Sequence, residues 1–290
     1  LDCKPANGID LHIHSTASDG TLSPAGILRR AAALNLSAIA ITDHDTLSGT
    51  AAAMRCERPN GLRLVSGIEI SAAPPEGYPI PGSLHILGYG IDLYHRDLGA
   101  ALAQMKMARD DRNPRIVRAL GSLGIEISMA EVDAKVGGSM AGRPHIAQVL
   151  MDKGVVASMD EAFDRLLGKG KPAYQDKERI SSAETIALIR SAGGIAVLAH
   201  PGLIEVAGPV RQRLVAELCE MGLGGLEAYY PRHTPEETAA LETLAKQYGL
   251  VITGGTDFHG DNTPGVELGS AKGDFHVPYA VYEALSAALG

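Results

Sequence analysis

Seven short runs of apolar, largely β-branched residues recur along this chain, and most of them carry a histidine or a carboxylate near or just past their end. They cover residues 8–14, 37–42, 63–70, 84–89, 194–199, 225–229 and 251–255. Helical patterns separate several of them. Such alternation predicts an α/β fold, a parallel sheet with crossover helices. The helices carry their own boundary signals. Ser23 precedes Pro24 as an N-cap before a first-turn proline, and Ser181 with Glu184 reads as a capping box on a helix that stops at Gly193 and Gly194. Thr234 with Glu237 repeats the box, Pro235 opens that helix, and Gly249 ends it.

The alternation stops between residues 95 and 180. Helices are predicted there over 97–123, 128–136, 143–153 and 158–167, with little strand character. The expected organisation is a barrel made of 1–94 and 181–290, with 95–180 as a helical insertion between the fourth and fifth strands, covering the rim at one end.

Function is carried by where the polar residues fall. His12 and His14 end the first run, Asp43 and His44 the second, and Glu69 the third. His200 ends the fifth, Glu227 lies in the sixth, and Asp257 and His259 follow the seventh. In a βα barrel the C-terminal strand ends converge on one rim, where reactive groups gather. Strand side chains two apart point the same way, so His12 and His14 face the axis together while Leu11 and Ile13 face the helices. His85 breaks the pattern by lying early in the fourth run. His95, His145, His233 and His276 fall outside it and read as ordinary histidines. Singly, each ionisable residue has a structural explanation as a hydrogen-bonded core or turn residue. Collecting so many on one rim without cations would be costly, so the constellation predicts a multinuclear metal site.

A net charge of -8 offers no global attraction for long nucleic acid or an anionic membrane. The three cysteines, Cys3, Cys56 and Cys219, form no spaced pair, which predicts a reduced, cytoplasmic setting. No apolar run reaches the length of a membrane span.

The stretches "DLHIHSTASDG", "ITDHDT", "GIEIS", "AHP" and "GTDFH" resemble, in order, the motifs of the PHP (polymerase and histidinol phosphatase) superfamily. "AGRPHIAQVL" and "LLGKGKPAY" resemble the branch holding nucleoside 3',5'-bisphosphate phosphatases and 5'-3' exoribonucleases of short RNA. The resemblance implies a distorted (β/α)7 barrel that binds two or three divalent metals and hydrolyses phosphate esters with a metal-activated hydroxide. By resemblance, His12, His14, Glu69 and Asp257 would hold one metal, and Glu69 with His85 and His200 a second. Asp19, His44 and His259 would hold a third. Imidazole and carboxylate without thiolate suit Mn²⁺, Zn²⁺ or Fe²⁺, with Mn²⁺ expected. Asp43 and Asp45 would orient His44.

The expected reaction removes the 3'-phosphate from a nucleoside 3',5'-bisphosphate such as pAp. The alternatives are 5'-3' hydrolysis of short RNA oligonucleotides and a histidinol phosphate phosphatase. An amidohydrolase also begins with a strand-borne histidine pair but needs no third metal position, and a metal-binding scaffold would leave the ligand set unused. Arg143 at a helix start and Lys171 in a Gly-Lys loop are expected to meet the second phosphate, with Lys169 beside it. Tyr229 is expected to stack on a base, with Tyr174 a weaker partner. His200 or His233 would be the general acid. The small residues of "STAS" offer backbone N–H groups to a phosphate.

Overall fold

The computed structural model describes residues 8–80, 82–136, 141–176, 178–271 and 275–290; Cys3 lies outside them. The seven runs become β1 (Ile9–Ile13), β2 (Ala38–Ile41), β3 (Arg63–Ala72), β4 (Leu84–Tyr89), β5 (Ile195–Leu198), β6 (Gly225–Tyr229) and β7 (Val251–Gly254). They form one sheet in sequence order. The sheet curls until its edges meet: the His14 N–H donates to the Phe258 carbonyl at 2.9 Å, just past β7. The result is a distorted barrel.

Its strands are not all parallel. β4 runs antiparallel to both β3 and β5. The connection from Ala72 to Leu84 is too short for a crossover helix, so the chain turns straight back. His85 pairs with Ser71, so the start of β4 lies at the rim where its neighbours end. This removes the anomaly of a histidine early in its strand.

A second departure is in β1. The β1–β2 register shifts between Asp10 and Ile13, and strict alternation fails there. Ile13 joins the apolar cluster that includes Ile27 and Leu28 of α1 (Pro24–Ala33). Leu11 instead belongs to the cluster of Leu87, Tyr89 and Val197, and the Tyr89 hydroxyl donates to its carbonyl at 2.8 Å.

Around the barrel lie α1, α2 (Ser48–Arg55), α7 (Ser182–Ser191), α8 (Gly208–Glu220), α9 (Pro235–Tyr248) and α10 (Tyr279–Leu289). Ser23 caps α1 by accepting from Gly26 N–H, and the full Thr234–Glu237 box closes on α9. In α7 Ser181 accepts from the Glu184 N–H. Residues 266–271 add a two-stranded hairpin of β8 (Val266–Glu267) and β9 (Ser270–Ala271) that the sequence pattern did not suggest.

The insertion is helical: α3 (Arg96–Ser122), α4 (Met129–Lys135), α5 (Arg143–Asp152) and α6 (Met159–Ala162). A π-helical turn over Phe163–Leu167 replaces the rest of the last expected helix. These helices bury Ile116, Leu120, Val132, Ile146, Leu150 and Leu167 against one another.

Candidate metal centre

His12 and His14 leave β1 fully buried, with their Nε2 atoms 3.2 Å apart. Two carboxylate oxygens approach the same place. Glu69 Oε2 lies 3.4 and 3.3 Å from the two Nε2 atoms, and Asp257 Oδ1 lies 3.3 and 3.1 Å from them.

Glu69 is the hub of the rim. Its Oε2 is 2.9 Å from His44 Nδ1, and its Oε1 is 3.0 Å from His85 Nδ1 and 3.2 Å from His200 Nε2. A further group forms around Asp19, whose Oδ1 is 3.3 Å from His259 Nε2 and 3.7 Å from His14 Nδ1. Its Oδ2 is 3.9 Å from His44 Nε2.

Three sets of ligand atoms thus converge within 4.8 Å: His12, His14, Glu69 and Asp257; His14, Asp19, His44 and His259; and His44, Glu69 and His85. The structure brings together all nine residues named from sequence, with His44 rather than His200 in the tightest group around His85.

These atoms fit cations better than they fit one another. Asp19 Oδ1, His44 Nδ1, Glu69 Oε2, His85 Nδ1 and Asp257 Oδ1 are buried with no hydrogen-bond partner, although polar atoms stand 2.9–3.3 Å away. Lone pairs that converge on shared points without pairing suit a common divalent ion.

The electrostatics agree. Burial opposes charge on Glu69, but His44, His85 and His12 outweigh it and hold its carboxyl well below the usual range. Asp19 and Asp257 are held low in the same way by their histidine neighbours. Burial would likewise lower His44, yet Glu69 and Asp19 lift it to about 9.

Surrounding groups fix the ring tautomers. Glu227 Oε1 lies 2.9 Å from His12 Nδ1, so an Nδ1–H donor leaves Nε2 as the free lone pair. Its Oε2 accepts the His200 N–H at 2.7 Å. His259 Nδ1 donates to the Asp257 carbonyl at 2.8 Å, turning Nε2 toward Asp19. The Tyr230 hydroxyl donates to Asp257 Oδ2 at 3.0 Å. The backbone is strained here: Asp45, His200 and Asp257 adopt φ of 52°, 31° and 55°, which costs non-glycine residues on the order of 1–3 kcal/mol each.

Several expectations change. Asp43 does not orient His44; it accepts from Ser15 N–H, Ser15 Oγ and Ser18 Oγ, each at 2.7 Å. Asp45 accepts from Ser71 N–H at 2.7 Å and pairs with Arg109 of α3. The N–H groups of "STAS" are not free for phosphate. Ser15 donates to Asp43, Thr16 to the Leu22 carbonyl, Ala17 to Ser15 Oγ and Ser18 to the Ser15 carbonyl.

His233 receives the Gly202 N–H on Nε2 at 3.0 Å and donates from Nδ1 to the Ala228 carbonyl at 2.9 Å. Both ring nitrogens hold backbone, so neither serves a leaving group. Tyr229 points to α9, donating to Glu242 Oε1 at 2.6 Å, while Tyr230 meets the rim. The β6–β7 register shift between Glu227 and Tyr229 turns the alternation over by one residue.

Arg143 begins α5, donates to the Leu167 carbonyl at 3.0 Å and lies 5.5 Å from the ring centres of Phe163 and Tyr174. Lys171 is exposed in the loop after the π-helical turn. Glu227 carried a signal, a carboxylate inside an apolar strand. Tyr230 carried none, because a bulge is invisible to a period-two pattern. Arg109 and Arg112, one turn apart on α3, are legible only as a charged helix face.

A curled seven-stranded sheet with these ligand sets on one rim defines a metal-dependent phosphoesterase. The chain belongs to the PHP domain family, whose profile matches residues 10–249. It is 34% identical over 262 residues to the 5'-3' exoribonuclease Rnm of Escherichia coli, covering 90% of this chain and 87% of the relative. It is 32% identical over 268 residues to the 3',5'-nucleoside bisphosphate phosphatase of Chromobacterium violaceum, covering 91% of each. A Bifidobacterium adolescentis structure, provisionally designated a metal-dependent phosphoesterase, superposes with a TM-score of 0.84 at 32% identity, over 97% of this chain and 96% of the other. Among the described residues no helix is long and apolar enough to cross a membrane.

Proposed function

We propose that this chain removes the 3'-phosphate from nucleoside 3',5'-bisphosphates, using two or three divalent ions, Mn²⁺ foremost. The observation that carries the phosphoester chemistry is Glu69, one buried carboxylate facing His12, His14, His44, His85 and His200. Bound there, divalent ions neutralise the non-bridging oxygens of a phosphate ester and lower the pKa of water. The chain's own residues position that chemistry: Glu227 and Tyr230 fix His12 and Asp257, and Asp43 holds the loop that carries Asp19. In this reading the helical insertion, 95–180, covers the rim, and Arg143 meets the phosphate that stays on the product. Cys56 and Cys219 are free thiols, which supports a reducing, cytoplasmic setting.

The likeness to the bisphosphate phosphatase supports the substrate. The test is turnover with Mn²⁺ of adenosine 3',5'-bisphosphate against AMP, histidinol phosphate and p-nitrophenyl phosphate. Equal efficiency on the simple monoesters sinks the substrate reading.

One observation favours 5'-3' hydrolysis of short RNA as a second reading. A cleft of about 1030 Å³ opens beside His259, lined by Thr21, Arg232, Asp261 and Asn262 among others. Nucleotides beyond the scissile phosphate need such an open side. A 5'-phosphorylated trinucleotide assayed beside the bisphosphate separates the two readings.

A further inference from the structure

Asp10 is a fully buried carboxylate two residues before His12, yet it belongs to none of the three ligand sets. Protein donors occupy both of its oxygens. Oδ1 accepts the His12 N–H at 3.3 Å and the Thr256 N–H at 2.9 Å. Oδ2 accepts the Thr256 hydroxyl at 2.6 Å and the Gly269 N–H at 2.8 Å. All four donors are uncharged. Holding a carboxylate out of water without a cation is costly, so its presence here calls for a role beyond filling space.

That role is indicated by where the donors lie, at the seam that closes the barrel. Among the described residues β1 and β7 share no strand ladder. Backbone bonds join β1 to the chain after β7 only at Phe258, from the His14 N–H at 2.9 Å and to the His12 carbonyl at 3.4 Å. The Asp10 carboxylate adds three bonds across the seam, two to Thr256 and one to Gly269 between β8 and β9. Thr256 immediately precedes Asp257, whose φ of 55° must be held in place by its surroundings. On the other side, a Cβ on Gly255 would stand 2.8 Å from Asp10 Oδ1. Residues 255 and 256 are therefore seated on Asp10, and the next residue puts Asp257 Oδ1 3.3 Å from His12 Nε2 and 3.1 Å from His14 Nε2.

We infer that Asp10 is a positioning residue that sets Asp257 against His12 and His14, so that the ion held by that set depends on a carboxylate outside it. The role concerns the metal centre and is the same whichever phosphate ester is hydrolysed. An amide cannot replace the carboxylate. In Asp10→Asn the side-chain NH2 must face two donors, either the His12 and Thr256 N–H groups or the Thr256 hydroxyl and the Gly269 N–H. Through Gly269 the β8–β9 hairpin is tied to the same rim.

The test is calorimetric titration of the chelator-treated full chain with Mn²⁺. Asp10→Asn should bind one ion at least about tenfold more weakly, with the remaining ions bound as in the wild type. Thr256→Val, which removes only the hydroxyl, should weaken the same ion by about threefold or more, and Thr256→Ser should recover most of that loss. The double variant Asp10→Asn, Thr256→Val should lose less than the product of the single losses, because both act on one bond. A merely structural role would lower the melting temperature of the metal-free protein and leave every Mn²⁺ affinity unchanged; that result overturns the inference. If Asp10→Asn does not fold, the Thr256 variants decide alone, and equal affinities in Thr256→Val and wild type overturn it. A wild type that takes up no Mn²⁺ overturns the metal centre and this role with it.

Discussion

Glu69 Oε1 lies 3.0 Å from His85 Nδ1, across two strands that run in opposite directions. Glu69 comes late in β3 and His85 early in β4, so only the antiparallel pairing brings them to one rim. The same carboxylate faces His12, His14, His44 and His200, which gives it a part in two of the three ligand sets.

Glu69→Gln should therefore lose at least one ion. Metal content measured by mass spectrometry should fall by at least one equivalent, and turnover by about a thousandfold or more, since a neutral amide can neither bridge cations nor balance their charge. Full metal content in the variant would show that Glu69 is not a shared ligand.

Tyr230→Phe removes only the hydroxyl that donates to Asp257 Oδ2. Losing such a partner to a ligand costs about 10–100-fold in metal affinity. Calorimetric titration with Mn²⁺ should show that loss, with the melting temperature of the chelator-treated protein changed little.

His233→Ala should act on stability and not on proton transfer. Its ring pins Gly202 and Ala228, so removal should cost about 1–3 kcal/mol in denaturant unfolding. The alkaline limb of the pH–rate profile should keep its midpoint. A displaced or missing limb would restore His233 as general acid.

Metal removal should make stability fall with rising pH. Without metal, burial opposes but Glu69 and Asp19 prevail, and the His44 pKa rises from 6.5 to about 9. A pKa raised by folding adds stability that is complete below 6.5 and is lost as pH rises through about 9, on the order of 3 kcal/mol at most. Chelator-treated protein should thus melt progressively lower across that range. Metal-loaded protein should not, because the cation takes the proton's place.

Gly255→Ala should disrupt the centre from behind. A Cβ there, just past β7, would collide with the His12 nitrogen and stand 2.5 Å from the His12 Cβ. The expected cost is about 3 kcal/mol. Thermal melts and metal content should fall together.

The residue pattern by itself determined the seven strands, the helical run between the fourth and fifth of them, and most of the histidines and carboxylates that gather at the rim. Period-two and period-3.6 patterns, caps and strand-end polar residues are local signals. His12 and His14 were legible as a pair because two residues on one strand need no tertiary information to point together. Strand direction, bulges and encounters between distant residues were decided only by the tertiary structure. The turn back into β4 put His85 at the rim, and one register shift exchanged Tyr229 for Tyr230. Closure of the loop on Asp43, on Leu22 and on its own Ser15 used up the N–H groups of "STAS", and backbone contacts used up the His233 ring. Arg112 was one charge on a helix in the sequence. It became an unmatched buried cation only when α3, α5 and the chain before α7 packed together, because electrostatic cost depends on neighbours in space and on exclusion of water.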